Sequence, residues 1–179
     1  SYKVNETYAI RGVHSQAVNN ANGMKMKVQS VSGKEFTVEA RAYNDGIAFR
    51  LFFAGKPGVK RVPDEQTTFV IPAGSWMWYH DMYAHYEGLH QRKEITGVAN
   101  GEWAAPPVTI ELPERKGYAC ITEAALKNYA GMSLQADGRC GLVTRLGHSQ
   151  PAGYPFAHYY SLEEAVRLSV PAAVEGDIL

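Results

Sequence analysis

The chain has 179 residues, 45% of them apolar and 20% charged, which suits one soluble domain able to bury a core without disulfides or metal. Eighteen basic residues balance eighteen acidic ones, so there is no electrostatic footprint for nucleic acid or an anionic membrane. No apolar run reaches the roughly 18 residues of a membrane span, and "SYKVNETYAIRG" at the start lacks the charged opening and apolar stretch of a signal peptide.

Strand signals dominate the chain and helical periodicity is scarce. "TYAIRGVHSQAV" and "GMKMKVQSV" read as strands, with the Asn- and Gly-rich "NNANG" as the turn between them. "KEFTVEARAYNDGIAFRLFFAG" is the clearest signal. Phe36, Val38, Ala40 and Ala42 alternate with polar residues, and after "NDG" the alternation resumes at Ile47, Phe49, Leu51 and Phe53. This predicts a β-hairpin turning at Asn44–Gly46. In its register Ala42 faces Ile47, Ala40 faces Phe49 and Val38 faces Leu51, while Glu39 meets Arg50 on the other face.

"EQTTFVIP" predicts a strand ended by Pro72. "PPVTIELP" predicts a strand bracketed by prolines, hence an edge or an isolated position. "GYACITE", "GMSLQADG" and "CGLVTRLG" predict three more short strands, with an Asp-Gly turn between the last two. Between the first two, "AALKNYAG" has room for one or two helical turns ended by Gly131. "SLEEAVRLS" carries a capping box at Ser161 and Glu164, and Pro171 would stop that helix. The sum is an all-β, antiparallel β-sandwich with few short helices.

Cys120 and Cys140 are the only cysteines and do not form a zinc motif. Both lie in strand-like segments and read as small buried apolar residues, with a disulfide as the alternative. His80, His85 and His90 are spaced by five residues, which is not a ligand spacing on a helix and alternates faces on a strand. The stretch around them reads as a surface loop dense in rings. Sugars offer C–H faces to aromatic planes and hydroxyls to planar polar groups, so Trp76, Trp78, His80 and Tyr83 are candidate carbohydrate-binding residues. The plainer reading is that Trp76 and Trp78 cover the sandwich or pack on another domain. No nucleophile elbow and no convergent carboxylate pair can be assembled. Glu123, where the apolar run "CIT" stops, is a lone acid; on its own it reads as a cap for the helix after it.

Two segments, "RAYNDGIAFRLFF" (41–53) and "ITEAALKNYAGMSL" (121–134), resemble the N-terminal domain of glycoside hydrolase family 97. "NETYAIRG" (5–12) and "TFVIP" (68–72) keep the family's order. The resemblance implies a large sandwich related in fold to galactose mutarotase, packed on a catalytic (β/α)8 barrel. Family members are bacterial α-glucosidases and α-galactosidases, often periplasmic. It also implies a calcium ion near the active site, with Glu123 as the ligand lent by this domain and Asn128 and Tyr129 supporting that face. On this reading residues 1–170 are a sandwich that begins inside the family's domain, and 171–179 start the linker to an absent barrel. The chain alone is then inactive, periplasmic or secreted in origin, and prone to pair through exposed strand edges. The alternatives are a free-standing carbohydrate-binding module and, third, a mutarotase-like epimerase.

Overall fold

The computed structural model describes residues 1–55, 66–81, 88–124 and 131–146. They are strands and turns, with two 3-10 turns at Ile95–Gly97 and Pro113–Arg115, so the all-β antiparallel class is as the sequence predicts. They fall into two compact units, one within residues 1–60 and one within 61–172.

The first unit is a four-stranded meander of β1 (Tyr2–Ala9), β2 (Gln16–Gln29), β3 (Glu35–Ala42) and β4 (Ile47–Phe52). The β3–β4 hairpin has the predicted register: Ala42 faces Ile47, Ala40 faces Phe49, Val38 faces Leu51 and Glu39 faces Arg50. The "NNANG" expectation fails. Asn19–Gly23 lies inside β2 and pairs with Tyr2–Glu6, and the chain turns earlier, where the Ile10 N–H donates to the Ser15 carbonyl. Tertiary contacts explain the composition. Asn19 donates to the Glu6 carboxylate across the strands at 3.0 Å. Gly23 is the seat of the Tyr2 ring, and a Cβ there would fall inside van der Waals contact of that ring.

Register assigns every side chain of this sheet to a face. Glu6, Lys25, Lys27, Glu35, Glu39, Arg41 and Arg50 share one face, and Lys3 is the only charge on the other. On the charged face Glu39 is only 2% exposed. Tyr2 donates its hydroxyl hydrogen to the Glu39 carboxylate, Arg50 Nε donates to Oε2 at 2.8 Å, and Arg41 Nε donates to the Tyr2 oxygen at 3.1 Å. Burial pushes the Glu39 carboxyl upward, but the hydrogen bonds from Tyr2 and Arg50 outweigh it and hold the group below its ordinary value.

The second unit contains β5 (Thr68–Val70), β6 (Trp76–Tyr79), β7 (Gln91–Glu94), β8 (Trp103–Ala104), β9 (Val108–Glu111), β10 (Tyr118–Ile121), β11 (Met132–Ala136) and β12 (Gly141–Leu146). They make two sheets, ordered β10-β9-β6-β7 and β5-β12-β11-β8. Inward residues of both form one buried cluster: Met77, Tyr79, Val108 and Ile110 from the first, Leu134 and Leu142 among those of the second. Burying each such large side chain contributes about 1.5–3 kcal/mol.

Three expectations are corrected here. Trp76–Tyr79 is a strand, not a loop, because Met77 and Tyr79 alternate inward between the two tryptophans. β9 is an inner strand between β10 and β6; its flanking prolines lie outside the paired residues and remove no ladder hydrogen bond. Cys120 is exposed on β10, the last strand of its sheet among the described residues, and Cys140 is half-buried in a turn with φ 63°; both are free thiols. The segments predicted as short helices at 125–130 and 161–169, and the linker at 171–179, lie outside the described residues.

The seat of Tyr2 gives a test. Gly23→Ala should displace the ring and cost about 1–3 kcal/mol in urea denaturation. Gly97→Ala, where a Cβ meets nothing within 4 Å, should be near neutral. Equal effects would contradict the packing.

Candidate functional site

Strand direction gathers the candidate residues at one end of the second unit. Ile121 pairs with Val108, Trp78 with Thr109 and Tyr79 with Gln91. The C-terminal ends of β10 and β6 and the N-terminal ends of β9 and β7 therefore lie together. Glu123 follows β10 there, His80 follows β6 and His90 precedes β7. Tyr83, His85, Asn128 and Tyr129 lie outside the described residues.

Glu123 closes the loop from β10 to the other sheet. Its Oε2 accepts the backbone N–H of Met132, the first residue of β11, at 2.8 Å. This is a clamp reaching nine residues ahead. A carboxylate has about four lone-pair sites, so accepting one N–H is compatible with ligating a metal as well. Calcium takes about six to eight oxygens. Among the described residues no three His, Cys, Asp or Glu side chains gather to hold an ion. One carboxylate is one ligand of such a set.

His80 is buried at the same end. Its Nδ1 lies against the Asp81 carbonyl, its own carbonyl accepts the Ala105 N–H at 3.0 Å, and its ring meets the His90 ring edge-on at 5.0 Å. Gly88 leaves room for the ring; a Cβ there would approach His80 Nδ1 to 2.9 Å. β6 lies two strands from β10, about 10 Å by strand spacing, so His80 and Glu123 mark separate parts of this rim.

Beneath His80, Tyr79 donates its hydroxyl hydrogen to the Glu102 carboxylate. Lys93 Nζ donates to Glu102 Oε1 at 2.6 Å and the Ala99 N–H to Oε2 at 3.0 Å. Burial raises the Tyr79 pKa, and its hydrogen bond to Glu102 raises it further. For Glu102, burial acts upward but the bonds from Lys93, Tyr79 and Ala99 prevail and lower its pKa. This network fixes the end of β6 and hence His80.

Trp76 and Trp78 stand on the outer face of the β10-β9-β6-β7 sheet, with Arg92, Glu111 and Tyr118. The Arg92 guanidinium lies 3.9 Å from the Trp76 ring centroid and 5.0 Å from that of Trp78, and donates to Glu111 Oε2 at 3.1 Å. Trp78 meets the Tyr118 ring at 6.3 Å, and Tyr118 is 71% exposed. The structure thus groups the tryptophans with Arg92, Glu111 and Tyr118 rather than with His80. The sequence reading missed those three. The only signal was the outward phase of Arg92 in "QRKE", legible only once β7 is paired with β6.

Known proteins bear on this chain in three ways. The glycosyl-hydrolase 97 N-terminal family model matches residues 1–167. A retaining alpha-galactosidase of Bacteroides thetaiotaomicron is 27% identical over 133 residues, covering 68% of this chain and 19% of that protein. A glycoside hydrolase family 97 enzyme from Pseudoalteromonas sp. strain K8, solved in complex with acarbose, superposes with a TM-score of 0.68 at 19% identity, over 82% of this chain and 23% of that one. A beta-arabinopyranosidase superposes at 0.64 with 16% identity, over 80% and 25%. At such identities the solved structures speak for the fold. The chain spans about a fifth of the length of the curated relative.

The Glu102 network has a pH signature. Its folded pKa lies below the unfolded value of about 4.3, so its contribution is full above that value and is lost as pH falls through the folded pKa. At pH 7, Glu102→Gln should be less stable than wild type by about 1–3 kcal/mol. In urea titrations the gap should close as pH falls below the unfolded value and through the lowered folded pKa. A gap independent of pH would contradict the network.

Proposed function

The chain belongs to the glycosyl-hydrolase 97 N-terminal family, and from that membership we propose that it is the non-catalytic N-terminal part of a periplasmic or secreted α-glycosidase. The complete enzyme hydrolyses α-glucosides or α-galactosides, and the catalytic acid and its partner carboxylate belong to a (β/α)8 barrel. The family match over 1–167 carries this reading.

In this reading the rim with Glu123 faces the barrel. Glu123 supplies one carboxylate to a calcium ion whose other ligands come from the barrel, and its bond to the Met132 N–H keeps the side chain oriented before the ion arrives. When bound, calcium supplies positive charge that orients substrate or water and offsets negative charge developing in the reaction. This chain's own tasks are to hold one carboxylate in place and to shape the approach to the active site.

The outer face of the β10-β9-β6-β7 sheet supports a second reading, carbohydrate binding, because Tyr118 offers an exposed ring beside the Arg92–Glu111 pair. Arg92 already covers Trp76 and Trp78, which weighs against sugars stacking on them. Titration with maltooligosaccharides, followed by tryptophan fluorescence, separates the readings: saturable binding favours a module and silence favours the accessory role.

The purified chain should not hydrolyse p-nitrophenyl α-glucoside or α-galactoside and should bind no calcium by calorimetry at micromolar concentrations. In the complete enzyme, Glu123→Gln should weaken calcium binding at least about tenfold, read by calorimetry and by loss of calcium-dependent thermal stabilisation. Unchanged calcium affinity would remove Glu123 from the site. Turnover by the chain alone would defeat the accessory reading.

A further inference from the structure

The pairing of β6 with β7 brings two histidines together. The strands run antiparallel with Tyr79 opposite Gln91, so His80 and His90 stand opposite each other one residue beyond the ladder. Their imidazoles meet edge-on, with centroids 5.0 Å apart and planes inclined by 70°. His80 is 5% exposed, while His90 is open to water. The ten residues between them in sequence hide a contact that only the hairpin makes.

We propose that His80 and His90 form a binding site for a divalent transition ion of the zinc type, with water completing the ion's shell. The separation of the rings supports it. With Zn–N bonds of about 2.0–2.1 Å, each ring centroid lies about 3.2 Å from the ion, and two imidazoles at a tetrahedral angle then have centroids about 5 Å apart. The observed 5.0 Å agrees. The fixation of His80 is a second, independent support. Its Nδ1 lies against the Asp81 carbonyl, which can only accept, so the proton sits on Nδ1 and Nε2 carries the lone pair. A ligating histidine characteristically donates its other N–H to a carbonyl or carboxylate in this way, which fixes tautomer and ring orientation. Gly88 packs on the same edge of the ring, where a Cβ would come to 2.9 Å from Nδ1.

Donor chemistry selects the ion. Imidazole nitrogen suits zinc, copper and nickel, whereas calcium is a hard ion that takes oxygen. Among the described residues no third His, Cys, Asp or Glu joins the pair. Two protein ligands with open positions make an exchangeable site that an external ligand can share, unlike a closed structural one. An ion held by both rings would tie the end of β6 to the start of β7. The site depends neither on the glycosidase assignment nor on Glu123.

Calorimetric titration of the untagged 179-residue chain with zinc should show saturable binding that excess calcium does not displace. His90→Gln, at an exposed position, should weaken zinc binding at least about tenfold. His80→Gln should do the same, and His90→Gln carries the test alone where the buried substitution disturbs folding. His14→Gln, exposed and in the first unit, should leave the affinity unchanged. Copper(II) on the wild type should show electron paramagnetic resonance splitting from two imidazole nitrogens, reduced to one in His90→Gln. Absence of zinc binding would overturn the proposal and leave the pair a ring contact only. So would an affinity indifferent to His90→Gln, displacement by calcium, or an equal loss in His14→Gln.

Discussion

Within residues 66–146 the packing of the inward residues of two short sheets constrains everything else. Met77 and Tyr79 come from a four-residue strand, and Val108 and Ile110 from another of the same length. Neither strand could hold its place through a handful of ladder hydrogen bonds. They are held because their alternate residues enter one cluster with Leu134, Leu142 and Leu146. Strand period then dictates what faces outward, which is why Trp76 and Trp78 stand on the opposite side of β6. It also dictates which chain ends share a rim, and so where Glu123 and His80 emerge.

Both units draw a carboxylate away from water, Glu39 fully and Glu102 in part, and they solve the cost in the same way. An ionised carboxylate removed from water is expensive unless several donors replace the lost hydration. Glu39 receives Tyr2 and Arg50; Glu102 receives Tyr79, Lys93 and the Ala99 N–H. In each case the donors outweigh burial and keep the acid ionised. In each case too, a tyrosine reaches the carboxylate from another strand, so the network fixes side-chain positions between strands as well as neutralising charge. At Glu123 the bond from the Met132 N–H orients the carboxylate.

The family model covers most of the chain, and the chain spans about a fifth of the curated relative's length. The cation–π stack of Arg92 over two tryptophans ties β7 to β6 on the outer face.

The sequence by itself determined the class of fold, the β3–β4 register and the three strands from Tyr118 to Leu146, because alternation and Asn-Asp-Gly chemistry are local and act within a few residues. It also marked Glu123, through a motif, without showing what the side chain touches. It misread "NNANG" as a turn, since the need for Gly23 comes from the ring of Tyr2, which is distant in sequence. It misread the proline-bracketed β9 as an edge, since strand order depends on which neighbours bury its two faces. It did not foresee Lys93, Glu102 or Arg92 as network members, because their partners arrive from other strands. Whether a charge is buried, a ring covered or a cysteine exposed was decided only by tertiary packing. Those properties belong to pairs of surfaces brought together, and periodicity along one strand records only half of each pair.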